Sequence, residues 1–422
     1  MSEVRIEGMV APGFERVRDL YEKNMHTLKE RNTQLCVYFK GEQVVDLWGS
    51  AIGDDDFDGN TLANVFSSGK SFEALAMASL VNQGLLDYEM RVTHYWPEFG
   101  ARGKQATTVA DLLRHEGGIA ALEVPLNPED LKPASLKQNR VGEIIEQHDQ
   151  KFRADDDRRE YHAITRGWLL NEVFRRVDPQ RRTIGEFLRE DISKPLAADV
   201  IIGLNKDELA RRSPVVHPGI RFMIADSLKP KAMGRQMERN LFQLMSFVGR
   251  MIPAVRKGTR PKAPQPFAGL TGIPSFNEDQ VAMGETPSAN THANARGLAK
   301  VAAMLSLKGQ LGDRRYLSEE AWAALHDKTT ASSMGFFSTH FSQGGVARFV
   351  DLPETASSLE KGLNQGREGF YGWMGLGGSL FQWHPDLQIG FGYVPTSLNI
   401  IDLVNERGKA YQAEVKRCVG AL

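Results

Sequence analysis

Cysteine is scarce in this chain. Only Cys36 and Cys418 occur, near opposite ends. A lone pair so placed is no disulfide framework, and it points to a reducing compartment. Long apolar runs are missing, so no window reads as a membrane span. Met1 to Glu7 has no basic region leading into an apolar stretch, so no signal peptide is expected. An excess of one charge sign is missing too. The 52 Lys and Arg nearly cancel the 53 Asp and Glu, and a net charge of -1 gives no general electrostatic hold on nucleic acid or an anionic membrane. No His/Cys/Asp/Glu cluster has metal-ligand spacing; His94, His115 and His162 are too scattered. Gly375, Gly377 and Gly378 do not lead from a strand into a helix, which disfavours a dinucleotide or phosphate loop. No metal, no cofactor and no internal repeat are therefore expected. A soluble cytoplasmic protein is left, with self-association open.

At 422 residues the chain is too long for one small core, so two domains or one with a large insertion are expected. Residues 13–30 carry Phe14, Val17, Leu20, Tyr21, Met25 and Leu28 on one helical face. Two β-rich runs, 35–39 and 44–49, flank Lys40-Gly41 and predict a hairpin. Helices are predicted after Ser67 as far as Gly84, over 108–116, from His162 to Arg176 and from Ile184 to Leu196. Asp87 and Asp111 read as turn or cap residues. The run Asp155 to Glu160 reads as a solvated loop. Residues 221–266 mix five methionines with basic residues and end in prolines. They read as a helical flap over the core, with an adaptable apolar substrate wall or a helix lying on a membrane surface as the other readings. A helix capped within 290–294, with His292 in the cap, runs to Leu305. A hairpin, 375–383 with 388–394, and a final helix, 404–419, close the chain.

Strands lie at both ends of the sequence and helices fill the middle. The predicted fold is α/β (α+β): an antiparallel sheet built from both termini, 1–66 and 285–422, flanked by helices, with an inserted, mainly helical domain over 67–284.

The stretch Phe66-Ser67-Ser68-Gly69-Lys70 opens a long apolar helix. A hydroxyl is a weak nucleophile until a base takes its proton. Residues i and i+3 share a helix face, so Lys70 can reach Ser67, and a desolvated amine can be that base. Spacing alone is weak evidence. Ser358-Leu359-Glu360-Lys361 has the same spacing in a polar stretch and reads as coincidence. His115 and His162, beside the other motifs, read as structural hydrogen-bonders.

The stretch 66–70, together with Leu85-Leu86-Asp87, Tyr95-Trp96-Pro97-Glu98-Phe99 and Leu112-Leu113-Arg114-His115-Glu116-Gly117-Gly118, resembles the serine β-lactamase-related superfamily, nearest to its class C-like, family VIII-type esterases and the eukaryotic β-lactamase-like proteins. Tyr161-His162-Ala163 is similar to that family's second motif and Trp373-Met374-Gly375 to its third. The resemblance spans roughly 34–396 and implies a β-lactamase/transpeptidase-like fold. It makes Ser67 the acylated nucleophile, Lys70 its motif lysine and Tyr161 the phenol aimed at it. It also implies that the amides of Ser67 and Leu376 form the oxyanion hole, with Trp373 and Gly375 at the substrate. A tyrosine between polar partners can give up its proton below its usual pKa. Sequence therefore leaves open whether Lys70 or Tyr161 takes the first proton.

Two positions depart from the family pattern. Ala163 replaces the asparagine of Tyr-x-Asn, and Trp373 replaces the cationic or polar residue that helps β-lactamases hold a substrate carboxylate. Trp373 reads as sheet packing or as pocket lining. The expected activity is hydrolysis of carboxylic esters through an acyl-enzyme. β-Lactamase, D-amino-acid peptidase or acyltransferase chemistry at the same site is the alternative. A non-catalytic scaffold or self-assembling protein is the reading from another class.

Overall fold

The computed structural model describes residues 4–28, 30–152, 159–217, 224, 225, 227–230, 265–335, 337–399, 402 and 404–422. Most of the stretch expected to form a flap lies outside them.

Six strands make the main sheet: β1 (Arg5–Val10), β2 (Asn32–Phe39), β3 (Glu42–Ser50), β4 (Tyr371–Met374), β5 (Leu380–His384) and β6 (Ile389–Pro395). Their order is β1-β3-β2-β6-β5-β4 and each neighbouring pair is antiparallel. β2 and β6 join the two ends of the chain at the sheet's centre, with Cys36 opposite Gly392. The expected sheet from both termini is what forms. The β2–β3 hairpin turns at Lys40 and Gly41, both at positive φ.

Side chains alternate across the sheet as the period of two requires. Leu35, Val37, Val45, Leu47, Phe391 and Tyr393 point to one core, where α1 (Glu15–Thr27) supplies Val17 and Tyr21, and Phe14 at its N-cap joins them. Cys36, Phe381 and Trp383 point to the other. There α2 (Lys70–Asn82) is buried on every side from Lys70 to Leu80, as expected of a helix apolar all round. Phe72 of α2 stacks on Phe381 with centroids 4.4 Å apart. α4 (Ala295–Ser306) lies on the sheet against β2, β5 and β6, and α3 (Thr165–Val177) packs on α2. α4 lies directly on β6, where a Cβ on Gly390 would come within 2.3 Å of Ala303 N. The last helix, α5 (Glu406–Ala421), packs beside α1, with Tyr411 6.0 Å from Tyr21.

Several expectations are corrected here. The strand predicted from Gly375 starts at Leu380; residues 375–379 form the turn between β4 and β5. The helix predicted over 184–196 is three short pieces with a π-helical middle at Leu188–Ser193. His292 is in a two-residue strand, and the cap of α4 is Asn294, whose side chain accepts the Gly297 N–H at 2.7 Å. Arg159, expected in a solvated loop, is buried against Glu116 at 2.6 Å. Cys36 and Cys418 are both free and buried. Asp111, read as a turn or cap residue, does cap, in a capping box with Thr108. Among the described residues no helix is long and apolar enough to cross a membrane.

Candidate active site

The nucleophilic turn begins at Asn64, whose side-chain oxygen accepts the Phe66 N–H at 2.8 Å. Phe66 takes φ +46°, a left-handed conformation uncommon for a bulky residue, and its buried ring packs on Phe276. A single 3₁₀ turn, Phe66–Gly69, follows and leads into α2. In such a turn residues i and i+3 eclipse, which brings Ser67 and Lys70 closer in line than the α-helical spacing expected from sequence. Ser67 is the one partly exposed residue between Leu62 and Leu80. Gly69 must be glycine, since a Cβ there would lie 2.2 Å from Thr291 Oγ1.

Lys70 is 1% exposed. Its Nζ lies 2.7 Å from the Ala163 carbonyl oxygen, 3.1 Å from that of Ser288 and 3.1 Å from Ser67 Oγ. Carbonyl oxygens only accept. A neutral amine therefore spends both its hydrogens on Ala163 and Ser288, and its lone pair faces Ser67. Burial favours that neutral form. It pulls the Lys70 pKa from 10.5 to about 7, with Arg166 adding to the shift and Glu73 opposing it.

Glu73 and Arg166 form a fully buried pair at 2.7 Å. The other Glu73 oxygen accepts from Ser288 Oγ at 2.5 Å, and Arg166 donates to the carbonyls of Lys70, Leu113 and Gly345. With its oxygens so engaged, Glu73 acts on Lys70 through its field. The sequence reading missed this network. Its signal was Glu73, the single charged residue in the helical run 72–81.

Tyr161 lies against the same groups. Lys70 Nζ is 4.9 Å from its ring centroid, and the Trp373 indole N–H donates to its hydroxyl at 3.0 Å. Packing around the phenol pushes its pKa up to about 12, against the opposing hydrogen bonds of Ser67 and Trp373. This reverses the expected downward shift, because desolvating the phenolate outweighs two neutral hydrogen bonds. At neutral pH Tyr161 is a phenol. The indole can only donate, so it fills a lone pair and leaves the Tyr161 O–H to face Ser67.

Trp373 both packs and binds. It is 7% exposed, lies between Phe341 and Phe349, and orients Tyr161. His162 and His115 hold the tyrosine segment. The His162 Nδ1–H donates to Glu160 O at 2.6 Å while Nε2 accepts the Ile119 N–H at 3.0 Å, and His115 Nδ1 accepts the His162 N–H at 3.1 Å. Burial pushes both rings down, His162 to about 3, so they stay neutral, as structural hydrogen-bonders should.

The Gly375–Ser379 turn is stapled to the nucleophilic turn. Ser379 Oγ donates to Val65 O at 2.7 Å and Ser68 Oγ to Ser379 O at 3.1 Å. Contact is so close that a Cβ on Gly375 would sit 2.2 Å from Val65 O. Leu376 projects from this turn and is 40% exposed. Among the described residues, neither the Ser67 nor the Leu376 backbone N–H donates to another group. The decoy pair is remote in kind. Ser357 and Glu360 cap a short helix over Ser358–Asn364, and Lys361 reaches the Glu354 carbonyl.

A family model described as Beta-lactamase matches residues 17–413. The chain belongs to this Beta-lactamase family. It is 26% identical over 412 residues to the protein named esterase/beta-lactamase LipL of Mycobacterium tuberculosis, covering 93% of this chain and 83% of that one. The structure of a family VIII carboxylesterase is 25% identical with a TM-score of 0.75, covering 98% of this chain and all of that one. A penicillin-binding protein homologue from Caulobacter crescentus is 24% identical with a TM-score of 0.74 over 98% of this chain and all of that one, a likeness of fold. The Beta-lactamase-family motifs read at Ser67, Tyr161 and Trp373 are thus three parts of one contiguous cluster.

Proposed function

We propose that the protein is a serine hydrolase that cleaves uncharged carboxylic esters through an acyl-enzyme on Ser67. The observation that carries this reading is the buried Lys70 amine, 2.7 and 3.1 Å from two carbonyl oxygens and 3.1 Å from Ser67 Oγ, so that in its neutral form the lone pair faces the nucleophile. In the first step Oγ bonds to the ester carbonyl carbon as its proton passes to Lys70. The carbonyl π pair moves to oxygen, where the Ser67 and Leu376 amides receive it; one such donor contributes about 3–4 kcal/mol. The carbon–oxygen bond to the alcohol then breaks, and the alcohol takes the Tyr161 proton beside the Lys70 ammonium. Water reverses the sequence: it gives a proton to Tyr161, attacks the acyl carbon, and Ser67 leaves with the proton held by Lys70.

The pairing of the local cations supports an uncharged substrate. Arg166 is bound to Glu73, Arg159 to Glu116, and Lys70 faces carbonyls. Where the family's β-lactamases keep a cationic or polar residue, Trp373 offers its only N–H to Tyr161. The names of two of the relatives above, esterase/beta-lactamase and carboxylesterase, fit this reading.

A screen of p-nitrophenyl esters of increasing acyl length, beside nitrocefin and a D-alanyl amide, tests it. The expected kcat/KM for the best ester exceeds that for nitrocefin by about 100-fold or more, the usual scale of pocket discrimination between substrates. Equal or faster nitrocefin turnover contradicts the assigned substrate class.

Tyr161→Phe separates the proton roles. In single-turnover acylation, which leaves out the deacylation step that Tyr161 serves for both substrates, an alkyl ester, whose alkoxide needs a proton, should react about 100-fold more slowly. A p-nitrophenyl ester, whose leaving group needs none, should lose under about 10-fold. Equal losses for both would remove Tyr161 as the acid to the leaving group.

A further inference from the structure

Glu30 follows α1 and Arg407 is the second residue of α5, yet their side chains meet behind the β4–β5 turn at 2.7 Å, 1% and 6% exposed. One Arg407 nitrogen donates to both Glu30 oxygens, at 2.7 and 2.9 Å, and Tyr393 donates to the same carboxylate at 3.2 Å. The other terminal nitrogen donates to the carbonyls of Gly377 and Ser397. The Asn399 N–H also binds Gly377 O at 3.1 Å, and Asn405 Nδ2 binds Gly378 O at 2.9 Å. The guanidinium fills the space a side chain would need, since a Cβ on Gly378 would lie 2.6 Å from Arg407 NH2.

We infer that Arg407, anchored by Glu30, is a positioning residue that sets the Leu376 amide of the oxyanion hole. This rests on the hydrolase reading above. The turn is closed by Gly378 N–H to Gly375 O, and three of its four residues are glycine. Glycine prefers no one backbone conformation, so the groups that grip the turn's carbonyls decide where its amides point. An oxyanion donor is useful only near 2.7–3.1 Å from the developing charge, roughly. Stability alone does not call for this pair, because apolar residues of the same volume often replace a buried ion pair without loss. A guanidinium can hold a carboxylate and two carbonyls together, which neither lysine nor an apolar side chain can.

The test uses a neutral p-nitrophenyl ester and phenylboronic acid, which forms a tetrahedral adduct on a serine oxygen. In Arg407→Met, kcat should fall about 10- to 100-fold with KM within about two-fold, the scale of a misplaced reacting geometry. Affinity for the boronic acid should fall by the same factor as kcat/KM. Glu30→Gln/Arg407→Met, which leaves no charge unpaired, should regain thermal stability and keep the kcat defect; it also carries the test if Arg407→Met fails to fold. Arg182→Met, which breaks the equally buried pair with Asp178 at 2.9 Å, should lower the melting temperature and leave kcat unchanged. Wild-type kcat and boronic acid affinity in the double variant overturn the inference. Turnover that survives Ser67→Ala overturns the hydrolase reading itself, so the two failures are distinguishable.

Discussion

Ser67→Ala is expected to lower kcat/KM for a neutral ester by a factor on the order of 10⁵ to 10⁶, the scale seen when a serine nucleophile is deleted. No neighbour can replace it. Ser68 is buried, and its hydroxyl is committed to Ser379. The variant should fold normally, because Lys70 keeps both carbonyl partners and Ser67 is partly exposed. Steady-state assays beside a thermal melt check this. A residual rate within 100-fold of wild type would show that another group carries the chemistry.

Lys70→Met has the second largest expected effect, a loss of about 10³- to 10⁴-fold in kcat/KM at pH 8, near the upper end for a general base. Methionine keeps the unbranched shape and removes the amine. The wild-type pH profile should show the same group. Lys70 acts when neutral and its pKa is pulled down to about 7, so kcat/KM should rise through pH 7 and level off above it. The rise should be missing in Lys70→Met. Stability follows the same sign. Between about pH 7 and 10.5 the native protein has released a proton that the unfolded chain still holds, so the Lys70 contribution to stability improves as pH rises through that window. Below pH 7 both states hold the proton and the burial cost is greatest. A wild-type profile centred near pH 10 would contradict a desolvated Lys70.

The legible parts of this protein are those written in short-range pattern. β-Rich runs at both ends foretold a sheet built from both termini, and a serine three residues before a lysine at the mouth of an apolar helix marked the nucleophile. Motif order added Tyr161 and Trp373. What stayed hidden depends on packing between distant segments. Arg166 reaches Glu73 across 93 residues and Ser288 reaches it across 215. The direction of the Tyr161 shift depends on how closely other groups surround the phenol, which no spacing reports. Trp373 could be read as packing or lining, but its bond to Tyr161 needs β4 placed beside the start of α3. The Gly375–Ser379 turn reads as strand because it runs straight into the β-rich Leu380–Trp383 stretch, while glycine's freedom makes the turn. Ser358 shows the converse: the right spacing on a helix whose serine neighbour serves only as a cap.

The most direct measurement of the central claim is the site of covalent capture. Wild-type protein treated with one equivalent of a fluorophosphonate ester, digested and mapped by mass spectrometry, should carry a single adduct on the peptide holding Ser67, with esterase activity lost in proportion to labelling. An adduct at another residue, or full activity in a protein labelled at Ser67, would contradict the account.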